Sequence, residues 1–217
     1  MYFHKVGLFV CAVLTIAITV LIIVGNVLVI ISVLVHPPLR QVHNILLVSL
    51  AVADLAVGLL VVPLNIVTII FKGHWIFGPI WCTVHVAADI FFSTASILNL
   101  CTVAVDRYLV IRYPAYYLNH RTLTTFFSFI ILVYLLSALI VIPPLFGWAA
   151  PDYVTFQMAN HTRFQCSFNN EIGYVIYSSL GSFYLPASLL VIIYDRSSQI
   201  HSALFRIVVH QWGCGVN

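Results

Sequence analysis

The stretch ADIFFSTASILNLCTVAVDRY, residues 88–108, sets Asp89 at one end of an apolar run and the pair Asp106-Arg107 at the other. Burying charge in hydrocarbon is costly, so ionisable residues in such a run face protein or a water-filled cavity and mark a candidate functional site. Asp89 and Arg107 stand 18 residues apart, about five whole helical turns and ~27 Å of rise, so both project from one side. Ser93 and Ser96 follow Asp89 by four and seven residues and fall near the same stripe. A carboxylate facing an outward-opening cavity is a natural counter-ion for a cation such as a protonated amine, and a low dielectric strengthens that pair and selects for positive charge. The alternative is an Asp89 paired with another helix or kept protonated. No Lys or Arg in the outer half of any apolar segment offers itself as that partner.

A second polar group sits in GYVIYSSLGSFYLP, residues 173–186, which carries Ser178, Ser179 and Ser182. Positions 178 and 182 share a helix face and 179 lies about 100° round from 178. Three hydroxyls so placed suit a phenolic or alcoholic OH of a ligand, or else bond back to their own backbone and pack helices together. Pro186, four residues after Ser182, removes the backbone bond to the 182 carbonyl and predicts a hinge below a pocket. Asp54, in LLVSLAVADLAVG, must be neutralised by a proton, a cation or polar neighbours. Asn26 and Ser96 are the available neighbours, and a Na⁺ ion held by oxygens is the other reading. Enzymatic constellations (GxSxG, HExxH, CxxC, a P-loop) are missing from the sequence, and His74 and His85 read as rim residues.

The elements that must hold these residues are membrane helices. Of 217 residues, 62% are hydrophobic and 7% charged, against ~25% charged in soluble domains. A formal charge of +3 without a basic run excludes a nucleic-acid partner. Val6 to Val35 lacks Asp, Glu, Lys and Arg and exceeds both the ~20 residues that cross a bilayer and the ~7–15 of a signal-peptide core. Further spans are expected at about 44–71, 80–112, 122–147 and 172–195. With the N-terminus outside, the inner flanks hold Arg40, Arg107, Arg112, Arg121, Arg196 and Arg206, and the outer ones Lys5, Lys72 and Arg163, the sense of the positive-inside rule. Cys82 and Cys166 then fall at outer ends, where an oxidising exterior permits a disulfide, and Asn160-His161-Thr162 is a glycosylation acceptor on the same side. Cys11, Cys101 and Cys214 are left over. Repeated halves and broken midplane helices, the marks of a transporter, are not visible.

In combination these residues resemble the rhodopsin-like G-protein-coupled receptors over residues 10 to 194. The motifs are Gly25-Asn26, SLAVADL (49–55), Trp75 and Cys82 in WIFGPIWC, DRY (106–108), PPLFGW (143–148), Cys166, and Pro186 with Tyr194. Asp89 with STASILNLC resembles the biogenic amine branch, and GYVIYSSLGSF and PLRQVHNILLVSLAVADL are most similar to invertebrate octopamine and tyramine receptors. The resemblance implies an all-α rhodopsin-like bundle in the plasma membrane, with an amine as ligand and a heterotrimeric G protein as partner. It implies that Asp89 takes the amine, that Ser178, Ser179 and Ser182 take ring hydroxyls, and that Ser93 lines the pocket floor. Asp54 and Ser96 would hold an allosteric sodium. Asp106 would cage Arg107 within Asp106-Arg107-Tyr108, Tyr194 would help hold the active state, and Cys82 would pair with Cys166. Tyr134 departs from the family's usual tryptophan.

After Tyr194 the sequence DRSSQIHSALFRIVVHQWGCGVN lacks the basic helical extension that the family leads one to expect. Residues 1–195 thus read as a partial receptor domain of five spans, lacking helices six and seven, and 196–217 as an atypical tail. SALFRIVVHQW is too short and too interrupted by Arg206 and His210 for a sixth span. A chain of this kind is expected not to signal alone. The alternative function is a non-signalling form that associates with full-length receptor protomers and is retained in the endoplasmic reticulum.

Overall fold

In the computed structural model, residues 2–39, 41–71, 73–114, 117, 122–146, 152–158, 161–167 and 171–213 are described. Asn160 and Cys214 lie outside them. Among the described residues, five helices are long and apolar enough to cross a membrane. The first runs Tyr2–Val35, the third Gly78–Arg112 and the fourth Leu123–Leu145. The second and fifth each contain a π-helical turn. Asn44–Ala56 passes through Val57–Val61 into Val62–Ile70, and Ile172–Ser179 passes through Leu180–Tyr184 into Leu185–Gly213. The architecture is therefore the all-α membrane bundle expected from sequence. The fifth helix crosses position 195 without a break, so SALFRIVVHQW extends that helix and forms no element of its own.

Helix ends follow local chemistry. Pro37 follows Val35, the last residue of the first helix, by two positions, and with Pro38 it cannot continue that helix. The Thr122 hydroxyl accepts from the Thr125 amide at 3.3 Å and caps the fourth helix. Gly73 and Gly78 take φ of 83° and 79°, a left-handed backbone open to glycine, and Pro79 then starts the third helix.

Both π turns sit in the same local sequence. Gly58 and Gly181 are each the second residue of their π turn, and Pro63 and Pro186 each follow its end by two residues. The proline withdraws an i→i−4 donor, and the extra residue in the turn absorbs the register change. The glycine lets a neighbouring helix approach. A Cβ on Gly58 would stand 3.3 Å from Ile22 Cγ2, and one on Gly181 would stand 3.1 Å from Ile140 Cδ1. The hinge expected at Pro186 is thus a built distortion one turn toward the pocket.

The third helix is the axis of the bundle. Ala53, Ala95 and Val133 bring the second, third and fourth helices together at 0%, 0% and 3% exposure. At the outer end Trp75, Cys82 and Val86 form a second buried cluster. A two-stranded antiparallel hairpin, Asp152–Met158 and His161–Ser167, joins the fourth and fifth helices. It is tied down by the Cys82–Cys166 disulfide. Trp75 N–H donates to the Phe164 carbonyl at 2.8 Å, and Phe164 N–H donates to His74 Nδ1 at 3.2 Å.

Candidate functional site

An outer cavity of about 520 Å³ opens between the third and fifth helices. Asp89, Ser93 and Thr94 line it from one side and Ser178, Ser179 and Ser182 from the other. The five residues selected from sequence for one ligand therefore share one wall-to-wall space. Ser93 Oγ donates to Asp89 Oδ1 at 3.2 Å, the i, i+4 contact that helix geometry predicts. Among the described residues, the carboxylate thereby gains a hydroxyl without a salt-bridged cation.

On the facing helix the hydroxyl protons turn inward. Ser178 Oγ donates to the Val175 carbonyl at 3.3 Å and Ser182 Oγ to the Ser178 carbonyl at 2.5 Å. These are the back-bonds that serines in membrane helices make. Each hydroxyl oxygen still has lone pairs, so the row is set to accept hydrogen bonds from a ligand hydroxyl. Thr94 Oγ1, at the same cavity, is buried without a hydrogen-bond partner among the described residues.

Below this cavity Ser96 Oγ donates to Asp54 Oδ1 at 2.5 Å and joins the second and third helices. Asn26, the other residue named for that set, donates its Nδ2 to the Ile22 carbonyl of its own helix at 2.9 Å. Tyr134 reaches the Ser49 carbonyl at 3.5 Å, while Ser49 Oγ donates to Asn99 Oδ1 at 3.1 Å. The aromatic swap in the fourth helix thus keeps a polar tie to the second.

His85 corrects the sequence reading. It is no rim residue but 8% exposed, with its ring stacked on Trp75 at 5.2 Å and Nε2 3.0 Å from Asn65 Oδ1. An apolar helix entry gave no sign of this, since the partner lies on another span.

At the inner end Asp106 is 3% exposed and accepts from the Tyr117 hydroxyl at 3.0 Å, a partner not anticipated from sequence. Arg107 lines a second cavity of about 610 Å³, together with Tyr108 from its own helix and Tyr194, Ser197 and Ser198 from the fifth. One chain therefore carries a carboxylate-and-hydroxyl pocket at one end and an arginine-lined cavity at the other, joined by a single helix.

Comparison with known proteins decides the family. The pattern of the 7 transmembrane receptor (rhodopsin family) matches residues 25–210. The chain belongs to that receptor family. It is 45% identical over 172 residues to Tyramine receptor 1 of Locusta migratoria, covering 79% of this chain and 34% of that one. It is 45% identical over 173 residues to an octopamine receptor of Heliothis virescens, covering 79% and 35%. It is 42% identical over 179 residues to 5-hydroxytryptamine receptor 7 of Xenopus laevis, covering 82% and 40%. The receptor chain thus spans a little over a third of the length of these relatives. Its relatives are of biogenic amine type, and its five apolar helices make it a multi-pass membrane protein.

Proposed function

We propose that this receptor chain carries the ligand site of an amine-activated receptor, of octopamine or tyramine type, that signals to a heterotrimeric G protein. One observation carries the reading: Asp89 and the serines Ser178, Ser179 and Ser182 face one another across a single cavity of about 520 Å³. A protonated arylethylamine has a cation at one end and a ring, with or without hydroxyls, at the other. Asp89 pairs with the ammonium while Ser93 steadies the carboxylate. The serine row accepts the ring hydroxyl, and apolar Ile90, Ile97 and Val175 flank the ring.

The inner cavity supplies the second half of the reading. Arg107, Tyr108 and Tyr194 line it, and a cationic, partly apolar recess at the inner face suits a G-protein segment. The Tyr117 hydroxyl holds the Asp106 carboxylate, and Arg107 faces the inner cavity, the direction from which a G-protein segment would meet it. Asp54 and Ser96 offer oxygen donors, the ligand type that a hard cation such as Na⁺ takes. The outer-end disulfide supports a plasma-membrane orientation with the N-terminus outside, where oxidation is favoured.

The test is saturation binding of tyramine and octopamine to membranes of cells making the chain. Asp89→Asn removes the charge and keeps the shape, and is expected to weaken binding ~30-fold or more, as for loss of one partner of a buried ion pair. Equal affinity of the wild type and Asp89→Asn would overturn the assignment.

A further inference from the structure

Two consecutive prolines, Pro143 and Pro144, lie inside the last turns of the fourth helix. Neither has a backbone N–H, so the carbonyls four residues earlier, Leu139 and Ile140, lose their helical donors. In a bilayer no water replaces a missing donor cheaply, and an unsatisfied carbonyl there costs several kcal/mol. The fifth helix answers both vacant carbonyls. Tyr177 Oη donates to the Leu139 carbonyl at 3.0 Å, and Tyr174 Oη donates to the Ile140 carbonyl at 3.4 Å. In the π turn just beyond these rungs, Gly181 lets Ile140 pack against the fifth-helix backbone.

We propose that Tyr174 and Tyr177 are positioning residues for the ligand site: they clamp the fifth helix to the proline-freed carbonyls of the fourth and so fix the rotation at which Ser178, Ser179 and Ser182 face Asp89. The inference rests on the amine reading of the cavity. Its physical basis is proximity. Tyr177 and Ser178 are adjacent in the chain, and one residue of rotation about the helix axis is about 100°, enough to turn a serine out of the cavity. Two hydroxyl contacts from residues three apart, on neighbouring turns, oppose that rotation more firmly than one.

The clamp predicts a pairing that a general packing role does not. Pro143→Ala returns an N–H to the Leu139 carbonyl and makes the Tyr177 hydroxyl redundant, and Pro144→Ala does the same for Ile140 and Tyr174. Two readouts are made on the full chain in membranes. The first needs no ligand: thermal unfolding of Tyr177→Phe, alone and with Pro143→Ala, and with Pro144→Ala as the mismatched control. The destabilisation by Tyr177→Phe is expected to shrink with Pro143→Ala and to persist with Pro144→Ala. The second is the affinity ratio of tyramine to phenethylamine, which differ by the ring hydroxyl. Tyr177→Phe, at a residue outside the cavity lining, is expected to lower that ratio about three- to tenfold, the scale of one hydrogen bond, while phenethylamine affinity holds. Tyr174 lines the cavity itself, so Tyr174→Phe is read by the same stability cycle, with Pro144→Ala as its matched partner.

An equal effect of Tyr177→Phe in all three proline backgrounds overturns the clamp. An unchanged ratio, or a parallel loss for both amines, overturns the positioning role. If the wild type binds neither amine, the amine reading falls and takes the positioning role with it, while the stability cycle still decides the clamp.

Discussion

At the scale of single residues, the polar groups that could be picked out from sequence are those whose placement is expensive. Asp54 and Asp89 stand out because a carboxylate in an apolar helix demands a partner. Ser96 meets that demand for Asp54. If this pair is a cation site, sodium binds the folded chain and raises its unfolding temperature through mass action. Replacing sodium by choline chloride is expected to lower the unfolding midpoint of the wild type, to do less in Ser96→Ala and to have no effect in Asp54→Asn. The same sodium-dependent shift in Asp54→Asn would rule the site out. The partners that escaped sequence reading are uncharged or distant. Tyr117, His85 and the tyrosines of the fifth helix lie among apolar or aromatic neighbours, where a tyrosine reads as a lipid-facing anchor. Their acceptors, Asp106, Asn65 and the Leu139 and Ile140 carbonyls, are 11 to 38 residues away in the chain. The Asn26 amide shows the local alternative, since its Nδ2 donates to the Ile22 carbonyl of its own helix.

At the scale of elements, the spans are legible because length and hydropathy suffice to define them, while their internal distortions are not. The recurrence of glycine followed five residues later by proline, Gly58-Pro63 and Gly181-Pro186, is the signal that would have located both π turns. The two turns should respond differently to filling. Ile140 Cδ1, 3.1 Å from a Cβ at Gly181, is the free tip of its side chain, whereas Ile22 Cγ2, 3.3 Å from one at Gly58, is held at the branch. Gly181→Ala is therefore expected to be tolerated. Gly181→Leu and Gly58→Leu each overpack a helix contact and are expected to cost about 1–3 kcal/mol. Only the Gly181 substitution moves Ser182, which lies in the same π turn. Tyramine affinity is expected to fall in Gly181→Leu and to hold in Gly58→Leu at a temperature where both are folded. Loss in both variants would mean that the two π turns act on the site as one unit.

At the scale of the whole molecule, the outer end is assembled from parts far apart in sequence. The Cys82–Cys166 disulfide closes a segment with a sequence separation of 84 residues. In solution, the chain-entropy account assigns such a loop about 4–5 kcal/mol. Here the reference state is different, because the helices stay in the bilayer when side-chain packing is lost and the membrane already restricts where the two cysteines can go. The global gain should therefore fall below the solution figure, and the bond should act mainly on what it touches. That is the docking of His74 and Trp75 on Phe164 and the buried cluster around Trp75 and Cys82. His85 stacks on the same tryptophan, one helical turn before Asp89, so disorder at the hairpin reaches the top of the outer cavity through two contacts. The expected outcome for Cys166→Ser is a loss of tyramine affinity with little change in helix content by circular dichroism. A Trp75→Leu variant with the disulfide intact should show part of the same affinity loss, since it removes the stacking surface and leaves the covalent tie. If Cys166→Ser instead loses helix content in proportion to affinity, the disulfide holds the bundle itself together, and the outer loop is not a separable support of the site.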